Sequence, residues 1–130
     1  FGDVRFEEKG RALLNKVLSL QSAEGWFLEY DGADAGYETR TFYYLAKTAV
    51  EFSREELFPV LEKSLKNFLV YCVHPDGSLG GEYGARNTSL IFPAGFEILA
   101  TRFPEAAAIA RKLRSGLEAD AVLSSRLPRR

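Results

Sequence analysis

The chain has 130 residues, of which 46% are apolar and 27% charged, a composition typical of one folded domain with a hydrophobic core and not of a disordered segment. Its formal net charge is −1 and its one dense basic stretch lies at the C-terminal tail (Arg126, Arg129, Arg130), so a nucleic-acid partner is disfavoured. The single cysteine, Cys72, excludes an intrachain disulfide, and no apolar run of about 18 residues predicts a membrane-spanning helix. The N-terminal residues do not resemble a secretion signal, and the compartment stays open.

The first half of the chain predicts two helices, because apolar residues recur there every three or four positions. The first helix is expected to end near Gln21, and the second to run from about Glu38 to near Phe52. Their apolar faces consist of Leu13, Leu14, Val17, Leu18 and Leu20 in the first helix, and of Phe42, Leu45, Ala46 and Ala49 in the second.

A third helix is predicted from a capping box followed by an apolar face. The Ser53 hydroxyl can accept a hydrogen bond from the backbone N–H of Glu56, whose carboxylate can reach back. His74 should end this helix, because a residue before a proline avoids the α region. The predicted face comprises Leu57, Leu61, Leu65, Phe68 and Cys72.

Two further apolar patterns predict a fourth and a fifth helix. Pro93 can occupy the first turn of the fourth helix, and Pro104 begins the fifth. The faces are Phe92, Phe96, Leu99, Ala100 and Phe103 in the fourth helix, and Ile109, Leu113 and Leu117 in the fifth. Alternation typical of strands is nearly absent, so the fold class is predicted to be all-α.

A self-comparison shows that the chain contains an internal repeat. Gly25 aligns with Gly77, 52 residues later, and the Glu-Tyr pair at Tyr30 aligns with the one at Tyr83. We interpret the chain as a single helical domain, 1–130, built as an array of antiparallel helical hairpins. Repeat one covers about 4–52, repeat two about 53–103, and a terminal helix about 104–123. Both hairpins have long connections, which stacking should bring to the same end of the domain.

The connections resemble a known type of repeat. LSLQSAEGWFLEY and YCVHPDGSLGGEY resemble the repeats of the α/α-toroid superfamily, which includes terpenoid cyclases, protein prenyltransferases and heparinase II/III-like polysaccharide lyases. QSAEGW is similar to a shortened Gln-x-x-x-Gly-x-Trp motif of the triterpene cyclases, in which the Gln caps a helix and stacks on the Trp. Gln21 and Gly25 match that motif, whereas Trp26 follows the glycine directly. The resemblance runs from about Leu13 to Phe103 and implies a partial toroid of about two and a half hairpins.

Two longer segments, GWFLEYDGADAGYETRTFYYLA and HPDGSLGGEYGARNTSLIFPAGFEILA, resemble toroid segments of heparinase II/III-like proteins more than they resemble the triterpene-cyclase repeat. This resemblance implies a polysaccharide-lyase-like protein that cleaves a uronate-containing polymer by β-elimination, or binds it. Elimination requires a group that neutralises the uronate carboxylate, a base for the α proton and an acid for the leaving oxygen. Arg86 and Asn87 suit neutralisation, and Tyr83 or His74 suits proton transfer.

The predicted substrate-binding residues belong to the same connections. Trp26 and Tyr30 offer faces for stacking on sugar rings, and Asp34 and Glu82 complete the set. No cofactor and no metal site is predicted. A prenyltransferase-like zinc site would need Asp, Cys and His side chains together, whereas Cys72 is expected to point into the core although it is close to His74 in sequence.

Structural explanations of these residues stay open. His74 can interact with free carbonyl groups at a helix C-terminus, and Arg86 can form an ion pair with Asp34. Two other functions also stay open, namely a terpenoid-cyclase- or prenyltransferase-like enzyme and a non-catalytic helical interaction module. The expected partners are a polysaccharide or other small-molecule ligand. A second copy of the chain or the rest of a toroid is a further expected partner, because an incomplete toroid exposes apolar helix faces.

Overall fold

The computed structural model of the chain describes residues 4–81, 84 and 91–126, and for residues 117 and 119–126 it describes the backbone alone. This part of the chain forms five helical stretches: α1 (Val4–Leu18), α2 (Ala35–Glu51), α3, α4 (Ala94–Leu99) and α5 (Pro104–Arg126). Helix α3 is continuous but changes its winding, from a 3-10 turn (Glu55–Leu57) to an α-helix (Phe58–Ser64), a π turn (Leu65–Leu69) and a last α turn (Val70–Cys72).

Helix content confirms the predicted all-α fold class. Among the described residues the only extended pairings are isolated bridges in the connections. None of the described helices combines the length and the apolar character needed to cross a membrane.

The core lies between α2, α3, α4 and α5. The predicted α2 face is confirmed, since all four of its apolar residues are buried. Helices α2 and α4 approach closely at Gly95, where an added Cβ would lie 2.9 Å from both Phe42 Cδ1 and Tyr43 Cα. The rings of Phe42 and Phe96 pack beside this crossing with centroids 5.1 Å apart. Helices α2 and α4 are therefore in direct contact.

Helix α1 lies at the edge of the fold and contains no buried residue. Leu14, Val17 and Leu18 pack partly against the core, but Leu13 is 54% exposed and Leu20 39% exposed. The helix ends at Leu18, earlier than predicted, because the chain then turns.

Helix α2 begins at Ala35 and not near Glu38. The reason is an N-cap, because the Asp34 carboxylate accepts a hydrogen bond of 3.0 Å from the Tyr37 backbone N–H. Asp34 also has the extended backbone that N-caps adopt. The sequence pattern does not predict this cap, because Asp34 lies in a glycine-containing stretch that is typical of a turn.

The predicted capping box at Ser53 is wrong. Ser53 has a left-handed φ of 51° and closes α2 instead of opening α3. Its N–H donates to Val50 O, and the Arg54 N–H donates to Ala49 O at 2.9 Å, the two bonds of a Schellman motif. Glu56 pairs with the Arg54 side chain, and the helix starts with its 3-10 turn.

The remaining helix boundaries agree closely with prediction. Helix α3 ends at Cys72, α4 starts just after Pro93, and α5 starts at Pro104. The apolar faces of these helices supply most of the remaining buried side chains: Leu57, Leu61, Leu65, Leu69, Cys72, Phe96, Leu99, Phe103, Ile109 and Leu113.

Candidate functional site

The two hairpin connections share one backbone geometry. We name residues 20–28 the first turn and residues 72–80 the second turn. An antiparallel bridge joins Gln21 to Phe27 in the first turn, and a bridge between Val73 and Leu79, each 52 residues later, closes the second. Three backbone hydrogen bonds recur at the same offset: Ser22 N to Trp26 O and His74 N to Ser78 O, Gly25 N to Ser22 O and Gly77 N to His74 O, Leu28 N to Leu20 O and Gly80 N to Cys72 O. The repeat inferred from sequence is thus present in the backbone of the turns.

Each turn packs on a later helix through its glycine, the first turn on α3 and the second turn on α5. Gly25 has φ +100°, and a Cβ added to it would lie 2.6 Å from the Lys63 carbonyl oxygen in α3. Gly77 has φ +86°, and its added Cβ would meet the Lys112 carbonyl oxygen in α5. Only glycine combines this backbone conformation with such a close approach to another helix.

Side chains hold the first turn on α3. Gln21 Nε2 donates hydrogen bonds to Val60 O at 2.9 Å and to Gly25 O at 3.0 Å. Lys63 Nζ donates to Ser22 O at 2.8 Å. Gln21 therefore attaches the turn to carbonyl groups, which is a structural role.

The first connection (residues 19–34) and the described part of the second (residues 73–81 and 84) meet at one end of the fold, which we name the turn end. An added Cβ on Gly84 would lie 2.9 Å from Asp34 Oδ2, so the second connection packs against the end of the first. Leu79 of the second turn forms a small buried cluster with Ala35 and Cys72. This arrangement agrees with the expectation from stacked hairpins.

His74 belongs to a hydrogen-bonded group within the second turn. Its Nδ1 lies 2.8 Å from the Ser78 hydroxyl oxygen. Asp76 Oδ1 accepts hydrogen bonds from the Ser78 N–H at 2.9 Å and the Ser78 hydroxyl at 2.7 Å, and these bonds lower the pKa of Asp76. The structure therefore gives His74 a part in holding the turn through Ser78, which differs from the contact with helix carbonyl groups that its position suggested.

The predicted stacking residues lie at the turn end. Trp26 is half-buried, and its indole N–H donates to a Glu24 carboxylate oxygen at 3.0 Å. Tyr30 is 60% exposed, and its ring lies edge-on to that of Tyr37 with centroids 6.1 Å apart. Asp34, in contrast, is only 1% exposed and caps α2.

The other predicted site residues are Glu82, Tyr83, Arg86 and Asn87, and they lie outside the described residues. The structure therefore brings Trp26, Tyr30, Asp34 and His74 to one end of the fold and does not test the proposed elimination group. Within the ranges that the structure describes, no group of three or more His, Cys, Asp or Glu side chains could hold a metal ion.

Sequence reasoning overlooked Glu38, a buried carboxyl group where the first turn, α2 and α3 meet. Glu38 Oε2 accepts a hydrogen bond from the Phe27 N–H at 2.8 Å, and Oε1 accepts one from the Ser64 hydroxyl at 2.5 Å. Burial raises the pKa of Glu38 to about 7; the two hydrogen bonds act against this rise, and the charge of Glu29 adds to it. The signal was present in the sequence, since Glu38 precedes Phe42 by four residues on the buried face of α2.

A second buried group lies near Glu38. The pKa of the Cys72 thiol is raised to about 11, first by burial and then by the charge of Glu38. The thiol donates to Phe68 O within its own helix. Cys72 is therefore a buried, unreactive side chain, as its apolar sequence context predicts.

Comparison with known proteins adds no assignment to this geometry: no protein-family model matches the chain, and neither a curated protein nor a solved structure shows significant similarity to it.

Proposed function

We propose that this chain is a helical-hairpin segment of the α/α-toroid type whose turn end binds a carbohydrate polymer. The observation that carries the proposal is the pairing of two turns with the same backbone geometry at one end of the fold. Long connections on a helical scaffold commonly form binding surfaces, since the scaffold fixes their positions while leaving their side chains accessible.

Aromatic side chains at this end support a sugar ligand. The exposed ring of Tyr30 and the half-buried indole of Trp26 follow each other in the first connection. Flat apolar faces with a polar edge suit the stacking of a sugar ring, because they cover its C–H face while its hydroxyl groups stay hydrated.

The uronate-lyase form of the proposal depends on the second connection. Arg86 and Asn87 would neutralise the uronate carboxylate, and Tyr83 with His74 would transfer the protons of β-elimination. His74 Nδ1 lies 2.8 Å from the Ser78 hydroxyl oxygen, so proton transfer by His74 would use its Nε2.

The test uses the single tryptophan as a reporter. The full chain is titrated with a uronate polymer and with a neutral glucan while Trp26 fluorescence and the ultraviolet absorbance of unsaturated product are followed. We expect the uronate polymer to change the fluorescence. Tyr30→Ala should weaken binding about tenfold, whereas the matched control Tyr44→Ala, in the exposed middle of α2, should not.

The outcomes separate the alternatives. Unsaturated product that disappears in Arg86→Ala and Asn87→Ala supports the lyase form, and binding without product supports a carbohydrate-binding segment. Absence of both binding and product contradicts the carbohydrate proposal.

A non-catalytic helical interaction module is the second candidate. It is favoured by the commitment of polar side chains to the scaffold, since His74 and Asp76 both bond Ser78, and Gln21 bonds α3. The terpenoid-cyclase-like alternative predicts a pair of aspartates facing an apolar cavity. Asp34 instead caps α2, so no described contact favours that alternative.

A further inference from the structure

Helix α1 has an exposed surface, whereas the corresponding surfaces of α3 and α5 are each covered by a turn. The first turn lies on α3 and the second turn lies on α5, so each turn packs on the first helix of the following hairpin. Helix α1 is the first helix of hairpin one. If the same packing rule applies to α1, its exposed surface would receive the turn of another hairpin.

The residue types on α1 fit this role. At the offset of 52 residues, Lys63 and Ser64, which receive Gly25, correspond to Arg11 and Ala12. Arg11 retains a cation that can donate to a turn carbonyl as Lys63 Nζ donates to Ser22 O, and Ala12 retains a small side chain where the turn comes close. Arg11 and Ala12 are exposed and line a shallow depression together with Val4, Glu7, Glu8 and Asn15.

Apolar residues of α1 give a second, independent correspondence. Phe6 is 76% exposed and Leu13 is 54% exposed, which is unfavourable for side chains of this size. Their equivalents at the same offset, Phe58 and Leu65 in α3, are 7% and 0% exposed. In α3 this face packs against α2, the second helix of the preceding hairpin.

We infer that α1 is a docking surface for another helical hairpin of this repeat type, with that hairpin's glycine turn on Arg11 and Ala12 and its second helix over Phe6 and Leu13. A second copy folded in the same way offers no free glycine turn, because both of its described turns lie on its own helices. The inference rests on the packing of the repeats and not on the carbohydrate proposal, so either can fail alone.

The experiment supplies a hairpin that can dock on α1. A tandem chain is prepared in which residues 4–55 are repeated directly before Val4, which places the original α1 where α3 lies in the single chain. Amide hydrogen exchange of the original α1, from Gly10 to Leu18, is compared with that in the single chain. We expect these amides to exchange at least about tenfold more slowly in the tandem chain, because the added hairpin must dissociate from α1 before α1 can open.

Two variants of the tandem chain test the geometry. Phe6→Ser with Arg11→Glu in the original α1 leaves the added hairpin intact and should return the α1 exchange rates to those of the single chain. Gly25→Val in the added copy alone should do the same, because its Cβ has no space against a helix carbonyl.

Equal α1 exchange in the tandem and single chains overturns the inference, including the case in which the added copy does not fold. Protection that survives both variants also overturns it. If the single chain dimerises in native mass spectrometry and Phe6→Ser abolishes the dimer, the occupant is a second copy and the hairpin proposal is wrong.

Discussion

Glu38 illustrates how one buried side chain can connect three parts of a small fold. Its two carboxylate oxygens bind the backbone of the first turn and the hydroxyl of Ser64 in α3, while its own backbone belongs to α2. Both donors are neutral, so they offset the loss of hydration only in part, and the pKa rises to about 7. The carboxyl group therefore changes its charge near neutral pH inside the core.

The first prediction concerns pH dependence. Between the ordinary pKa of 4.5 and the folded value of about 7, the folded state keeps a proton that the unfolded state has lost. The free energy of unfolding therefore falls as pH rises through this window and levels off above pH 7. From pH 5.5 to pH 8.5 we expect a loss of about 2 kcal/mol, measured by urea denaturation.

Glu38→Gln is the control for this prediction. Its carbonyl can accept from the Phe27 N–H and its amide can donate to Ser64, and the side chain is neutral at every pH. We expect the variant to lack the pH-dependent loss and to be more stable than the wild type at pH 8.5. Equal slopes in the two proteins would show that Glu38 does not titrate in this window.

At the scale of elements, the end of α2 shows how local sequence can favour two structures. Ser53 with Glu56 satisfies a capping-box pattern, but the serine backbone is left-handed and completes the Schellman motif of α2. A side chain in that conformation is strained, and glycine is the residue that adopts it freely.

We therefore predict that Ser53→Gly stabilises the protein by about 0.5 to 1 kcal/mol, measured by chemical denaturation. Ser53→Ala should change stability by less than about 0.5 kcal/mol, because the left-handed strain remains and no cap is lost. A loss of about 1 kcal/mol in Ser53→Ala would instead indicate that the hydroxyl caps α3.

Gly25 is the residue through which the first turn contacts α3, and Gly77 is the residue through which the second turn contacts α5. Gly25→Ala and Gly77→Ala should each destabilise the protein by about 2 kcal/mol or more, since both combine a positive φ with a helix carbonyl at the Cβ position. Gly10→Ala is the matched control, because nothing lies within 4 Å of its added Cβ and alanine favours the helix. It should be neutral or stabilising by up to about 1 kcal/mol. If Gly77→Ala is neutral while Gly25→Ala is not, the second turn does not depend on its contact with α5.

At the scale of the whole molecule, the sequence predicts the elements that depend on periodicity. The buried faces of α2 and α3 follow from residues three and four apart, and the repeat follows from the Gly25 and Gly77 alignment. Features that depend on tertiary contacts were not predictable, such as the hydrogen bonds of Glu38 to Phe27 and Ser64 and the exposure of Leu13, because a pattern does not show which neighbour covers a helix face. The candidate site was predictable only as a location, since the bonds of His74 and Asp34 depend on turn geometry.

The last prediction follows from the uneven burial of the five helices. Helix α1 contributes only partly buried side chains to the core, whereas Leu69 of α3 is fully buried. Truncating a fully buried leucine removes more contacts and leaves a cavity, so Leu69→Ala should cost about 3 kcal/mol or more and Leu14→Ala about 1 kcal/mol.

Hydrogen exchange provides the second measurement of this unevenness. Amides of α1 should exchange through local opening, with a free energy below that of global unfolding, and Leu14→Ala should accelerate them more than the amides of α2. Amides of α2 and α3 should exchange with the free energy found by denaturation. Equal protection of α1 and α3 in the single chain would contradict the assignment of α1 as an edge helix, and it would require that something outside the described contacts already covers α1.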